Sequence, residues 1–235
     1  MRNLAIEAAE RFTFAATSSR GDVSALLLRP KTATSLLILG HGAGAGMTHP
    51  FLDEFVELLA TSRVATLRYQ FPYMEAGKRR PDHGTVLQAT VRSAIRTAHE
   101  RAPEVPLFAA GKSMGGRMTS LAAARQSLDH VRGLVFVGFP LHPAGKPGIE
   151  RAEHLKEVDI PMLFLQGTRD RLAILDLLRT ALEPLATRAR LHIVDGADHS
   201  FQMLKTSGRS QTQAIEELAQ TTADWIGNVI GQETS

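Results

Sequence analysis

Two hydrophobic patterns alternate along this chain. Short unbroken apolar runs fall at Ser35–Leu39, Leu107–Ala110, Leu134–Val137 and Met162–Leu165, with mixed strand-like runs at Val64–Tyr69 and Arg190–Val194. Such runs fit strands covered on both faces. Between them apolar residues return at helical spacing. Leu52, Phe55, Val56 and Leu59 form one stripe, and Leu87, Val91, Ala94, Ile95 and Ala98 form a second. Ile215, Leu218, Ala219, Thr222, Trp225, Ile226 and Val229 stripe a terminal helix. Met114 to about Arg125 and Leu172–Leu185 also read as helical. Thr48 is placed to cap the first helix, with Pro50 where a helix tolerates proline.

Ahead of this alternation, Arg11–Ala16 and Val23–Leu28 read as an antiparallel hairpin. That makes eight strands, and strand–helix alternation implies a mainly parallel sheet with helices on both faces. Pro72 ends the fourth strand, and Tyr69 to His83 reads as a loop. Residues 140–159, with two internal prolines and two glycines, are too few for a cap domain. In such sheets the ligand site lies beyond the carboxyl ends of the strands. Gly42–Gly46, Ser113, Asp170 and His199 each follow a strand end, so four loops are expected to converge on one edge.

The chemistry centres on Gly111-Lys112-Ser113-Met114-Gly115, a G-x-S-x-G turn with a strand before it and a helix after it. Ser113 sits at the tip of a tight, strained turn, with its hydroxyl clear of the backbone. Gly111 and Gly115 stand where a Cβ would meet neighbouring backbone. A phosphate-binding loop would need a glycine at position 106, which holds Pro106. A serine hydroxyl needs a base and a carboxylate that orients that base. His199, after the last strand, is the expected base, and Asp170 the expected carboxylate. Asp195 and Asp198 are rivals, but Asp198 is the immediate neighbour of His199 and Asp195 can cap the turn. Negative charge on an attacked carbonyl needs two fixed N–H groups. Met114 at the new helix is one candidate, and Ala43 in His41-Gly-Ala-Gly-Ala-Gly46 is the other.

Composition narrows the classes. With 235 residues, 43% of them hydrophobic, the chain suits one domain with a sizeable core, spanning about 10–230. It has no cysteine, which removes disulfides, thiolate metal sites and a thiol nucleophile, and fits a reducing cytoplasm. No metal and no organic cofactor is expected. No apolar run has membrane length, and residues 1–10 carry acidic residues without the apolar stretch of a signal peptide. The net charge is +3 and scattered, so no nucleic-acid partner is expected. Oligomeric state is not written in the sequence.

Gly-Lys-Ser-Met-Gly-Gly, His-Gly-Ala-Gly and Gly-Thr-Arg-Asp resemble motifs of the α/β-hydrolase superfamily. Within it the chain looks like the group related to dienelactone hydrolases, which includes a testis-expressed protein and a subunit of a histone acetyltransferase complex. Segments 69–82 and 142–147 resemble that group's signatures. The resemblance implies an eight-stranded sheet and a Ser113–His199–Asp170 triad, without a settled substrate. Dienelactone hydrolases proper use a cysteine where this chain has Ser113. The expected activity is cleavage of an ester, thioester or amide through an acyl-enzyme, most simply a small-molecule carboxylesterase. A binding or scaffold protein keeping the fold, and a peptidase, are the alternatives. The two signature segments are expected to wall the pocket, with Lys112, Tyr73 and His142 as substrate contacts. Lys112, with Arg68, Arg79 and Arg80 nearby, suggests an anionic acyl or leaving group.

Overall fold

A computed structural model describes residues 9–233. The expectation about a signal peptide concerns a segment, 1–10, of which all but the last two residues lie outside these. Eight strands form one sheet: β1 (Glu10–Thr17), β2 (Gly21–Leu28), β3 (Ser35–Gly40), β4 (Val64–Tyr69), β5 (Leu107–Lys112), β6 (Val131–Val137), β7 (Met162–Gly167) and β8 (Ala189–Val194). Their order is β1-β2-β4-β3-β5-β6-β7-β8. The first two strands pair antiparallel, β2 joins β4 antiparallel, and all other pairings are parallel. This is an α/β-hydrolase fold, and no separate cap domain interrupts it among the described residues.

Alternation along each buried strand feeds two cores. Leu36 and Ile38 of β3 face one core, Leu37 and Leu39 the other. On the first face pack α3 (Gly84–Arg101), α4 (Met114–Arg125) and α5 (Leu175–Leu182), through residues such as Val91, Met118 and Leu178. On the second pack α1 (Pro50–Thr61) and α6 (Gln211–Glu233), through Phe55 and Leu218 among others. Burial on both faces explains why β3 reads as an unbroken apolar run.

Two local expectations change. His49, not Thr48, caps α1, its Nδ1 accepting the N–H of Phe51 at 3.2 Å. Pro72 not only ends the strand region but opens a short helix, α2 (Pro72–Glu75), within the stretch read as loop. Proline at a first helical position loses no hydrogen bond, since that N–H has no intrahelical partner.

The chain passes from β3 outward to β4 and then back across to β5 on the other side of β3. The crevice at such a reversal is where ligands bind in open parallel sheets. Register carries Gly40 beside Gly111, so the loop after β3 and the turn after β5 leave the sheet at the same level.

Candidate active site

Ser113 occupies φ 52°, ψ −114°, a conformation that costs a non-glycine residue free energy and persists only when its surroundings enforce it. Here the surroundings are backbone. A Cβ on Gly111 would stand 2.1 Å from the amide nitrogen of Gly116, and the turn closes because that carbon is missing. The Ser113 N–H also donates to the carbonyl of Val137 at 3.0 Å, tying the turn to β6.

Three side chains from three loops meet there. His199 Nε2 lies 2.8 Å from Ser113 Oγ. His199 Nδ1 lies 2.6 Å from Asp170 Oδ2. Asp170 is fully shielded while the imidazole remains 24% exposed, so the carboxylate is dry and the ring reaches solvent. Asp170 also accepts the N–H of Leu172 on Oδ1, at 2.7 Å, and the side-chain amide of Gln166 on Oδ2. An ionised carboxylate so supplied with donors keeps its geometry and cannot swing away from the imidazole. The rivals go elsewhere. Asp195 accepts from the Thr168 hydroxyl, and Asp198 Oδ1 accepts the N–H groups of Ser200 and Gln202. Asp198 thus does the turn-capping foreseen for Asp195.

The glycine loop after β3 is held from many sides. His41, wholly buried, accepts the Phe71 N–H on Nε2 at 3.1 Å and donates from Nδ1 to the Gly42 carbonyl at 2.7 Å. Burial lowers its pKa to about 4, so the ring is neutral, as that pair of bonds requires. Gly44 donates its N–H to the Tyr73 hydroxyl at 3.0 Å. Met47 donates to Gln70 Oε1 at 2.9 Å, and its carbonyl accepts from Arg68. Arg68 is buried and paired with Asp53 of α1. Among the described residues, the N–H groups of Ala43 and Met114 enter no hydrogen bond.

A cavity of about 680 Å³ opens over Ser113 and His199. Ala43, Pro50, Phe51, Leu52 and Leu172 give it apolar walls, while His49, Ser200, Gln202 and Gln211 give polar ones. Of the expected substrate contacts only Lys112 lines it. Tyr73 and His142 are buried and hold loops instead. Tyr73 takes the Gly44 N–H, and His142 Nε2 accepts the N–H of Ile174 at 3.1 Å, beside the Asp170 turn. Arg68 is spent on Asp53, Arg79 and Arg80 are exposed, and none of the three lines the cavity. Lys112, the one cation among its described lining residues, donates to the carbonyl of His199 at 2.6 Å. The basic cluster read as an anion site is therefore not assembled around Ser113. The backbone clamps on the glycine loop leave no sequence signal, because nothing in one sequence pairs His41 with Phe71 or Gly44 with Tyr73.

Residues 33–227 match a family model described as an alpha/beta hydrolase domain. The chain belongs to that family. Solved structures share its fold. A dienelactone hydrolase from Anabaena variabilis superposes with a TM-score of 0.74 at 21% identity, covering 94% of this chain and 98% of that one. An alpha/beta serine hydrolase without lid from Xanthomonas campestris gives 0.72 at 18% identity, covering 92% and 94%. Est1E from Butyrivibrio proteoclasticus, solved with ferulic acid bound, gives 0.70 at 17% identity, covering 89% and 96%. No helix among the described residues is long and apolar enough to cross a membrane.

Proposed function

We propose that this hydrolase-family chain is a serine hydrolase, acting as one domain over residues 10–230, that cleaves small uncharged carboxylic esters through an acyl-enzyme. The observation that carries the reading is the unbroken hydrogen-bonded line Ser113–His199–Asp170 at the floor of an open cavity.

In this mechanism His199 Nε2 takes the Ser113 proton as Oγ attacks the ester carbonyl. Asp170 holds Nδ1–H and stabilises the imidazolium that forms. The carbonyl oxygen, now anionic, receives the N–H groups of Ala43 and Met114, which the loop has already fixed. The imidazolium then gives its proton to the leaving alcohol. Water repeats the cycle in reverse and frees Ser113. Every proton is returned, and none of these steps needs a metal or cofactor.

Preference for uncharged esters follows from the cavity wall, where the one cation among the described lining residues is already bonded to His199. Walls that mix apolar side chains with hydroxyl and amide groups suit a compact acyl or aryl group with some polarity. Ferulic acid, bound by Est1E of the same fold, recommends aryl esters for the panel.

A fluorophosphonate probe tests the reading. Labelling that disappears in Ser113→Ala, with turnover of neutral esters faster than of carboxylate-bearing ones, is the expected result. Folded protein that takes no label would point to a binding or scaffold role instead.

A further inference from the structure

Lys112 occupies the last position of β5, on the same face as Phe108 and Ala110, which belong to the core under α1 and α6. Its alkyl stem therefore lies along apolar surface, and Nζ stands 5.3 Å from the ring centre of Phe201 and 5.7 Å from that of Phe51. From there it donates to the backbone carbonyl of His199.

The loop it grips is under strain. Phe201 has φ 59°, a left-handed value that is unusual for a bulky side chain. Its ring is nonetheless fully buried, stacked on Phe51 at 5.8 Å. Asp198 fastens the near side of the loop by accepting two backbone N–H groups, and Phe201 fastens the far side. Between them the carbonyl of His199 is held by Lys112. Gly138, at φ 68°, makes the room. A Cβ there would stand 3.2 Å from Nζ and 3.5 Å from His199 Nδ1.

We propose that Lys112, in its ammonium form, is a positioning residue that holds the backbone of His199 so that the imidazole meets Ser113, and that reactivity falls when the ammonium loses its proton. This rests on reading Ser113 as the nucleophile.

The charged neighbours are few. Asp170 and Asp198 face Nζ from the loops after β7 and β8 and favour its charge, but burial outweighs them and brings its pKa down to about 8. Among the described residues, His199 itself is the titratable residue whose backbone Nζ touches. α1 presents Phe51, and its buried carboxylate, Asp53, is paired with Arg68. A neutral amine would keep a donor but lose its attraction to the two ring faces and the two carboxylates.

The experiment follows the fluorophosphonate labelling rate of Ser113 against pH. Wild type should fall off above about pH 8, as its Lys112 deprotonates. Lys112→Met should label roughly 10- to 100-fold more slowly at pH 7, the scale of a misplaced catalytic group, and lack the alkaline fall. Because the chain has no cysteine, K112C introduces a unique thiol that 2-bromoethylamine converts to a thioether analogue of lysine. That product should recover the rate, with its alkaline fall at lower pH because sulfur makes the amine more acidic. The alkylated and unalkylated forms of one variant compare the same fold, which guards against a Lys112→Met that folds poorly. Equal rates with and without the amine, and an unchanged pH profile, would overturn the proposal while leaving Ser113 as nucleophile. Wild type that takes no label would overturn both.

Discussion

A β-carbon on Gly115 would stand 2.3 Å from the carbonyl oxygen of Gly40. The first turn of α4 therefore touches the end of β3 backbone to backbone. That contact sets the distance between the nucleophile turn and the glycine loop, and so between the two candidate oxyanion donors. Gly115→Ala cannot be absorbed by a side-chain rotation, because the atoms it meets are main chain. The substitution should cost about 3 kcal/mol of stability, read as a lower urea midpoint, and abolish labelling of Ser113 even where the protein remains folded.

Asp170→Asn separates orientation from charge. The carboxylate accepts from three donors, two of them on Oδ2. An asparagine can turn its oxygen toward only one side. If it keeps the Leu172 N–H, its NH₂ faces His199, which must then carry its proton on Nε2 and cannot take one from Ser113. The expected loss in kcat is about 10⁴-fold with KM little changed, measured on a neutral ester.

The sequence made the site legible at its chemical residues and left its supports hidden, for a physical reason. Ser113, Asp170 and His199 each follow a strand end, and parallel-sheet topology sends strand ends to one edge. The G-x-S-x-G spacing also states its own steric need. The supports are hydrogen bonds between residues far apart in sequence, such as Gly44 to Tyr73, whose partners are backbone groups that any residue possesses. Tyr73 and His142 lie in the two signature segments, yet their polarity serves buried loops rather than substrate. Even the cap of α1 was displaced by one residue, because His49 and Thr48 both offer an acceptor and only the backbone path decides between them.

Tyr73→Phe tests that hidden support. It deletes the acceptor of the Gly44 N–H and leaves the ring in its packed place. Stability should fall by about 1 kcal/mol, the net worth of one such bond. The glycine loop should then relax around Ala43. Because the oxyanion exists only after attack, kcat should drop roughly tenfold while KM stays near its wild-type value. A rise in KM at constant kcat would instead return Tyr73 to the role of substrate contact.

His41 should make the fold sensitive to acid. Its pKa is about 4 in the folded protein against an ordinary 6.5, because burial penalises the cation. Between those values the unfolded chain binds more protons than the folded one, so stability falls as pH falls. The contribution is complete above pH 6.5 and lost by pH 4, on the order of 3 kcal/mol. His41→Gln should be less stable at neutral pH, having lost the clamp between Phe71 and Gly42, yet its urea midpoint should move less between pH 7 and 4.5.

Lys112 should pull stability and reactivity in opposite directions. Its folded pKa is about 8 against an ordinary 10.5, with burial the leading cause. Between these values the unfolded state again binds more protons, so the wild type gains stability relative to Lys112→Met as pH rises through that window. Below pH 8 the buried ammonium is a net burden on the fold. Over the same rise in pH the labelling rate of Ser113 should decline, because the proton that burdens the fold is the one that steadies His199. Thermal melts of wild type and Lys112→Met at pH 7 and pH 10, set beside labelling rates, would show the crossing. Stability and labelling that rose together would mean that the ammonium has no part in aligning His199 with Ser113.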